Sequence, residues 1–210
     1  MFDEQEEPEE FLNRLRQDPE GVLADEYSQY RDRLWRIVNF RLDRRLLGRV
    51  DADDILQEAY LDAATRIEHY LNDPATSFFI WLRTVVGQTL IDVHRRHLGA
   101  QKRDVRREAK AKRRVFSAST SFQIADVLLG DLSSPSQAAL KAELAAQLHE
   151  ALESMNEIDR EILVLRHFEE LSNLEAAEVL EIESKTASMR YFRALTRLRS
   201  ILVRIPGIIE

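Results

Sequence analysis

The chain has 210 residues, 44% hydrophobic and 32% charged, with a net charge of −7, which suits one large or two small folded domains. The absence of cysteine excludes disulfide scaffolds, cysteine zinc sites and thiol catalysis, and fits a reducing cytoplasm. No basic start leads into an apolar run, and no stretch approaches ~18 uninterrupted apolar residues, so neither signal peptide nor membrane span is expected.

Six glycines and five prolines punctuate the chain sparsely, and apolar residues recur at helical spacing. An all-α fold is therefore expected, with two small helical domains joined by a flexible linker. Residues 1–10 hold six carboxylates and are expected to be disordered or loosely helical, inside an acidic extension over 1–22. A helix over 23–47 carries Leu34, Trp35, Val38 and Leu42 on its apolar stripe and stops at Gly48. The next, over 52–71, has Leu56, Ala59, Tyr60, Ala63, Ile67 and Tyr70 at 3–4 spacing. Asn72-Asp73-Pro74 breaks it, and a third helix follows over 77–97. These helices form a first domain over 23–99. Residues 100–136 read as the linker, basic at first, then serine-rich, with a short apolar segment over 124–129. Helices resume over 137–154, 159–168, 173–180 and 185–203, within a second domain over 137–210.

The net charge hides strong segregation. Residues 94–114 carry ten Lys/Arg against Asp104 and Glu108, and residues 184–204 carry six with no acid. Two basic islands in an acidic body are what a polyanion binder with a second, protein-binding surface would show.

In the second domain, Ser172-Asn173-Leu174-Glu175 has the capping-box pattern, and Glu181-Ile182-Glu183 reads as a tight turn before a second helix that Ser184 is expected to cap. Two short helices so joined, the second basic, form a helix-turn-helix. Ala187, Tyr191, Ala194 and Leu198 make the inward stripe. Thr186, Arg190, Arg193 and Arg197 keep the same spacing and are expected to point outward together, as major-groove reading needs. The bland alternative is a helical hairpin with a solvated arginine face.

In the first domain, Asp54, Gln57 and Glu58 share one helical face. Metal ligation, acid–base chemistry, docking on a basic partner and simple solvation all remain open for them. No second helix supplies converging ligands and no nucleophile–base constellation stands out, so no catalytic residue, metal or cofactor is assigned. Phe78, Trp81, Leu82, Val85 and Val93 are expected in the core. Gln88, Asp92, Arg95 and Arg96 line another face, suited to phosphates and unstacked bases.

Taken in order, Asp53-Asp54-Ile55-Leu56-Gln57-Glu58, Phe78-x-x-Trp81-Leu82, Asp92-x-x-Arg95-Arg96 and the terminal helix-turn-helix resemble an extracytoplasmic-function (ECF) sigma factor of bacterial RNA polymerase. The resemblance covers about 25–96 and 148–202. It implies that Asp54, Gln57 and Glu58 dock on the clamp helices of the polymerase's largest subunit. It implies that Arg83, Gln88, Asp92, Arg95 and Arg96 contact the minus-10 promoter element. Thr186, Ser188, Met189, Arg190, Arg193 and Arg197 would then read the minus-35 element, and the linker would thread toward the polymerase active site. The implied partners are core polymerase and promoter DNA, and the family also allows an anti-sigma protein. The resemblance implies a cytoplasmic, non-enzymatic protein without cofactor, metal or membrane. The chain departs from the family pattern at Glu181 and Lys185, where glycines are common, at Ala187 for a valine and at Gln88 for an asparagine. Two other readings are kept: a stand-alone helix-turn-helix regulator, and a metal-dependent hydrolase built on Asp51, Asp53, Asp54 and Glu58.

Overall fold

Asp18 accepts the Gly21 N–H at 2.9 Å and Pro19 follows it, so the first long helix begins capped, with no backbone donor lost at its first position. This structure, a computed structural model, describes residues 8–98, 124 and 135–203. The chain divides into two units, Met1–Ala100 and Gln101–Glu210. Every described element is helical. Among the described residues no helix is long and apolar enough to cross a membrane.

The first unit holds α1 (Pro8–Gln17), α2 (Pro19–Arg41), a 3-10 turn (Arg44–Leu46), α3 (Ala52–Asn72) and α4 (Phe78–Leu98). α3 packs on both α2 and α4. Leu34, Ile37 and Val38 of α2, Ile55, Ala59 and Ala63 of α3, and Leu82, Val86 and Leu90 of α4 are all buried. Tyr27 anchors α2 to α3 by donating its hydroxyl to the Leu56 carbonyl at 2.7 Å. Burial pushes that phenol well above its ordinary range, so it stays a neutral donor. Tyr70, Phe78 and Trp81 form an aromatic cluster with centroids 4.9 to 5.4 Å apart.

Three expectations change here. The expected extension over 1–22 contains an additional helix, α1, which buries Leu15, sets Phe11 5.0 Å from Phe78, and pairs Arg14 with Glu26. Residues 1–7, the most acidic part of that extension, lie outside the described residues. α2 ends at Arg41 rather than 47, because Leu42 turns to extended backbone (φ −67°, ψ 125°) and buries its side chain. Gly48, at φ +83°, serves the following turn instead of stopping a helix. Trp35 leaves the apolar stripe and is 38% exposed, and Ile37 fills the core beside Leu34.

The second unit holds α5 (Pro135–Glu153), α6 (Glu157–Leu163), a π-helical turn (Val164–Phe168), α7 (Asn173–Leu180) and α8 (Ser184–Leu202). α8 packs on α5, α6 and α7. Leu148, Leu152, Ile162, Leu163, Ala176, Ala187 and Ala194 are buried, the small alanines letting α8 approach its neighbours closely. Asn156 caps α6 by accepting the Ile158 N–H at 3.0 Å. Arg160 is buried, yet donates to the Leu152 carbonyl at 3.1 Å and pairs with Glu153 at 3.2 Å. The expected linker over 100–136 lies outside the described residues, except for the buried Ile124 and for Pro135 and Ser136, which begin α5.

Candidate partner and nucleic-acid interfaces

The acidic start of α3 is built by reciprocal capping. Asp51 accepts the Asp54 N–H at 2.8 Å, and Asp54 accepts the Asp51 N–H at 3.3 Å. Asp53 accepts from Arg31 of α2 at 2.5 Å. Glu58 accepts from the Arg96 guanidinium at 2.6 and 2.7 Å, across 38 residues of sequence. That bond is the chief reason the Arg96 guanidinium is held above its ordinary range. So the three expected docking residues differ in state: Asp54 is spent partly on the cap, Glu58 holds Arg96, and Gln57 points into solvent. Among the described residues no group of three His, Cys, Asp or Glu side chains comes together to hold a metal.

On α4, Gln88 donates to both Asp92 oxygens at 3.3 Å, and Arg95 approaches Asp92 at 3.6 Å. These residues share a polar side that ends at Arg95 and Arg96, as the spacing predicts. Arg83 does not join them. It is 8% exposed, because α4 is apolar nearly all round: Phe79, Ile80, Leu82, Val86, Leu90 and Ile91 are buried on several sides. His94, read from sequence as part of a basic run, is half-buried and accepts the Asp43 N–H on Nε2 at 3.3 Å. Burial lowers its pKa below the ordinary value, more than Asp43 raises it. The bond holds the loop after α2 against the end of α4. Within that loop Arg45 bonds the Asp43 carboxylate at 2.7 to 3.2 Å and holds it below the usual carboxylate range.

The second unit carries the helix-turn-helix. Ser172 accepts the Glu175 N–H at 3.2 Å while Glu175 accepts the Ser172 N–H at 2.7 Å. Glu181 takes the left-handed conformation at the turn (φ 53°, ψ 45°), and the Ile182 N–H closes onto the Ala177 carbonyl at 3.0 Å. The residue capping α8 is Glu183, without a side-chain cap bond, and not Ser184. Ser184 instead receives the Asn173 amide on its hydroxyl at 2.6 Å and on its carbonyl at 2.9 Å, which clamps the start of α7 to the start of α8.

Ala187, Ala194 and Ile201 are buried and fix the inward line of α8. Arg193, Arg197, Ser188 and Met189 are exposed and Thr186 is half-buried, but Arg190 does not face outward with them. It turns to Asp159 of α6 at 2.8 Å, a pair whose side chains are 26% and 11% exposed. The four-residue outward stripe expected from spacing is therefore a flank of α8, inward at Arg190. The line opposite the buried alanines is Lys185, Met189, Phe192, Thr196, Arg199 and Val203, all exposed. Phe192, Lys185, Thr196 and Arg199 were missed by sequence reasoning. Their signal was available as the line half a turn from Ala187 and Ala194.

The family described as Sigma-70 region 2 matches residues 27–99, and the one described as Sigma-70, region 4 matches residues 145–198. Two helical units with these regions in this order define a sigma-70-type factor. The RNA polymerase sigma-H factor of Pseudomonas aeruginosa is 27% identical over 188 residues, covering 86% of this chain and 92% of that protein. The ECF RNA polymerase sigma factor SigW of Bacillus subtilis is 27% identical over 192 residues, covering 91% and 94%. The ECF RNA polymerase sigma factor SigD of Mycobacterium tuberculosis is 28% identical over 173 residues, covering 80% and 73%. Among solved structures, CnrH in complex with the cytosolic domain of CnrY gives a TM-score of 0.49 at 18% identity, over 92% of this chain and 96% of that one. The chain belongs to the ECF group of the sigma-70 family.

Proposed function

We propose that this sigma factor docks on core RNA polymerase through the exposed face of α3, centred on Gln57 and flanked by Asp54 and Glu58. Promoter DNA is then gripped twice. The polar side of α4 from Gln88 to Arg96 takes the minus-10 element, and the outward side of α8 takes the minus-35 element. The observation that carries the reading is α8 itself: a clamped helix-turn-helix whose second helix shows exposed Lys185, Arg193, Arg197 and Arg199, with no acid between 184 and 204. The protein contributes binding free energy and the polymerase supplies the chemistry, in the compartment where polymerase works. Because Glu58 is held by Arg96, engagement of Glu58 by a basic partner would free a cation on the DNA-facing side of the same unit.

The stand-alone regulator is set aside because the Sigma-70 region 2 match occupies 27–99, where a sensing or dimerising domain would have to lie. The hydrolase is set aside because its four carboxylates serve the α3 cap, Arg31 and Arg96. Gln57→Arg tests the docking face without touching the cap or the Arg96 pair. Expected are loss of core-polymerase capture and of run-off transcription, with unchanged circular dichroism. Wild-type capture by that variant would sink the docking assignment.

A further inference from the structure

Resting on the reading of α8 as a DNA-contacting helix, we propose that Met189 and Phe192 recognise the C5-methyl groups of thymine in the major groove, and so set the base preference of the upstream contact. The outermost line of α8 runs Lys185, Met189, Phe192, Thr196, Arg199, Val203. Its middle is apolar: Met189 is 57% exposed and Phe192 is 74% exposed, with Leu195 beside them. Water gives such side chains nothing, and here they stand at the crest of the helix rather than folded onto its flank.

Their surroundings select the occupant. Lys185 and Arg199 lie at either end of the crest and Arg193 and Arg197 on one flank, all exposed. A partner must therefore be anionic at its rim and apolar at a few points in its floor. The major groove has that pattern, with phosphates along both edges and thymine methyls as the apolar projections among polar base edges. A protein with an apolar groove would need a closed ring of acids to match the same cations. Position along the helix agrees, since Met189 and Phe192 both fall in the first half of α8, the half that enters the groove in helix-turn-helix proteins. Arg190, the natural candidate for a guanine at this depth, is already committed to Asp159. The crest is thus left to side chains that read shape and methyl groups.

Core polymerase carrying the full chain is the reagent, and the probes are promoter duplexes recovered by run-off selection from a random library. Each is resynthesised with deoxyuridine for thymidine in the upstream element only, which deletes the methyl and keeps the pairing. One buried methyl is worth about a fourfold change in affinity. The wild-type holoenzyme should bind the uracil duplex about fourfold more weakly for each thymine it contacts. Met189→Ala and Phe192→Ala should bind the thymine duplex more weakly by a similar factor and lose the thymine–uracil difference at the matching base. Both side chains are exposed, so folding is not at risk, and helicity serves as the check. Equal wild-type binding to both duplexes, or full methyl sensitivity in both variants, would overturn the inference. Arg193→Ala and Arg197→Ala separate the two levels. If they weaken binding while the methyl does not matter, only the inference falls; if no α8 substitution matters, the reading of α8 falls with it.

Discussion

Replacing Arg190 with alanine should loosen the second unit instead of changing which bases it reads. The guanidinium lies 2.8 Å from Asp159, with the two side chains 26% and 11% exposed. Removing one member of a fully buried pair costs about 3–5 kcal/mol, because the other charge is left without water or partner. Fully exposed pairs are worth only about 0–1 kcal/mol. This pair sits between those limits, and the Arg190 Nε is buried without an acceptor, which already lowers the worth of the arginine. About 2 kcal/mol is the resulting expectation. Two units in one chain make a single melting curve hard to interpret, so hydrogen exchange of α6 and α8 peptides is the better assay. Amides that exchange by opening of this unit should do so about thirtyfold faster in Arg190→Ala. The double variant Arg190→Ala with Asp159→Asn should recover much of the loss, since it removes the stranded charge. Unchanged exchange in α6 and α8, together with relaxed preference at one base pair, would refute the reasoning and return Arg190 to the DNA.

The turn offers a second measurement. Glu181 is left-handed at φ 53°, where a Cβ costs about 1 kcal/mol, so Glu181→Gly should be more stable than Glu181→Ala by about that amount in urea titrations; equal midpoints would contradict the strain. His94 gives the pH dependence. Its folded pKa is depressed below 6.5, so its contribution is fully present above about pH 6.5 and is lost as pH falls through the folded value. Both tryptophans lie in the first unit, and their fluorescence should report falling stability in that window for the wild type and a flat response for His94→Gln, whose amide oxygen can still accept the Asp43 N–H. The same slope in both proteins would remove His94 from the account.

Local chemistry was readable from sequence, and distant pairing was not. Ser172 and Glu175 cap as their three-residue spacing predicts, and Ala187 and Ala194 are buried as their stripe predicts, since neither needs knowledge of a partner. Asp159 and Arg190 are separated by 31 residues and Glu58 and Arg96 by 38, and periodicity within one helix says nothing about which cation turns toward which acid. The outward stripe on α8 was placed a quarter-turn off because arginines were taken as its markers, while apolar residues on a surface were not. The burial of Arg83 was hidden for a related reason: a charged residue in a helix apolar on several sides has little solvent to face. Trp35 erred in the opposite direction, because size and apolarity do not guarantee a core position when a neighbouring isoleucine fits it better.

The bond between Glu58 and Arg96 makes polymerase docking and strand capture thermodynamically reciprocal under the proposed roles. Whatever factor the polymerase adds to DNA affinity by taking Glu58, bound DNA returns to polymerase affinity by taking Arg96. An exposed pair of this kind is worth at most about 1 kcal/mol, so that factor is bounded near fivefold. The pair therefore biases the order of assembly without enforcing it, and salt should erase most of that bias.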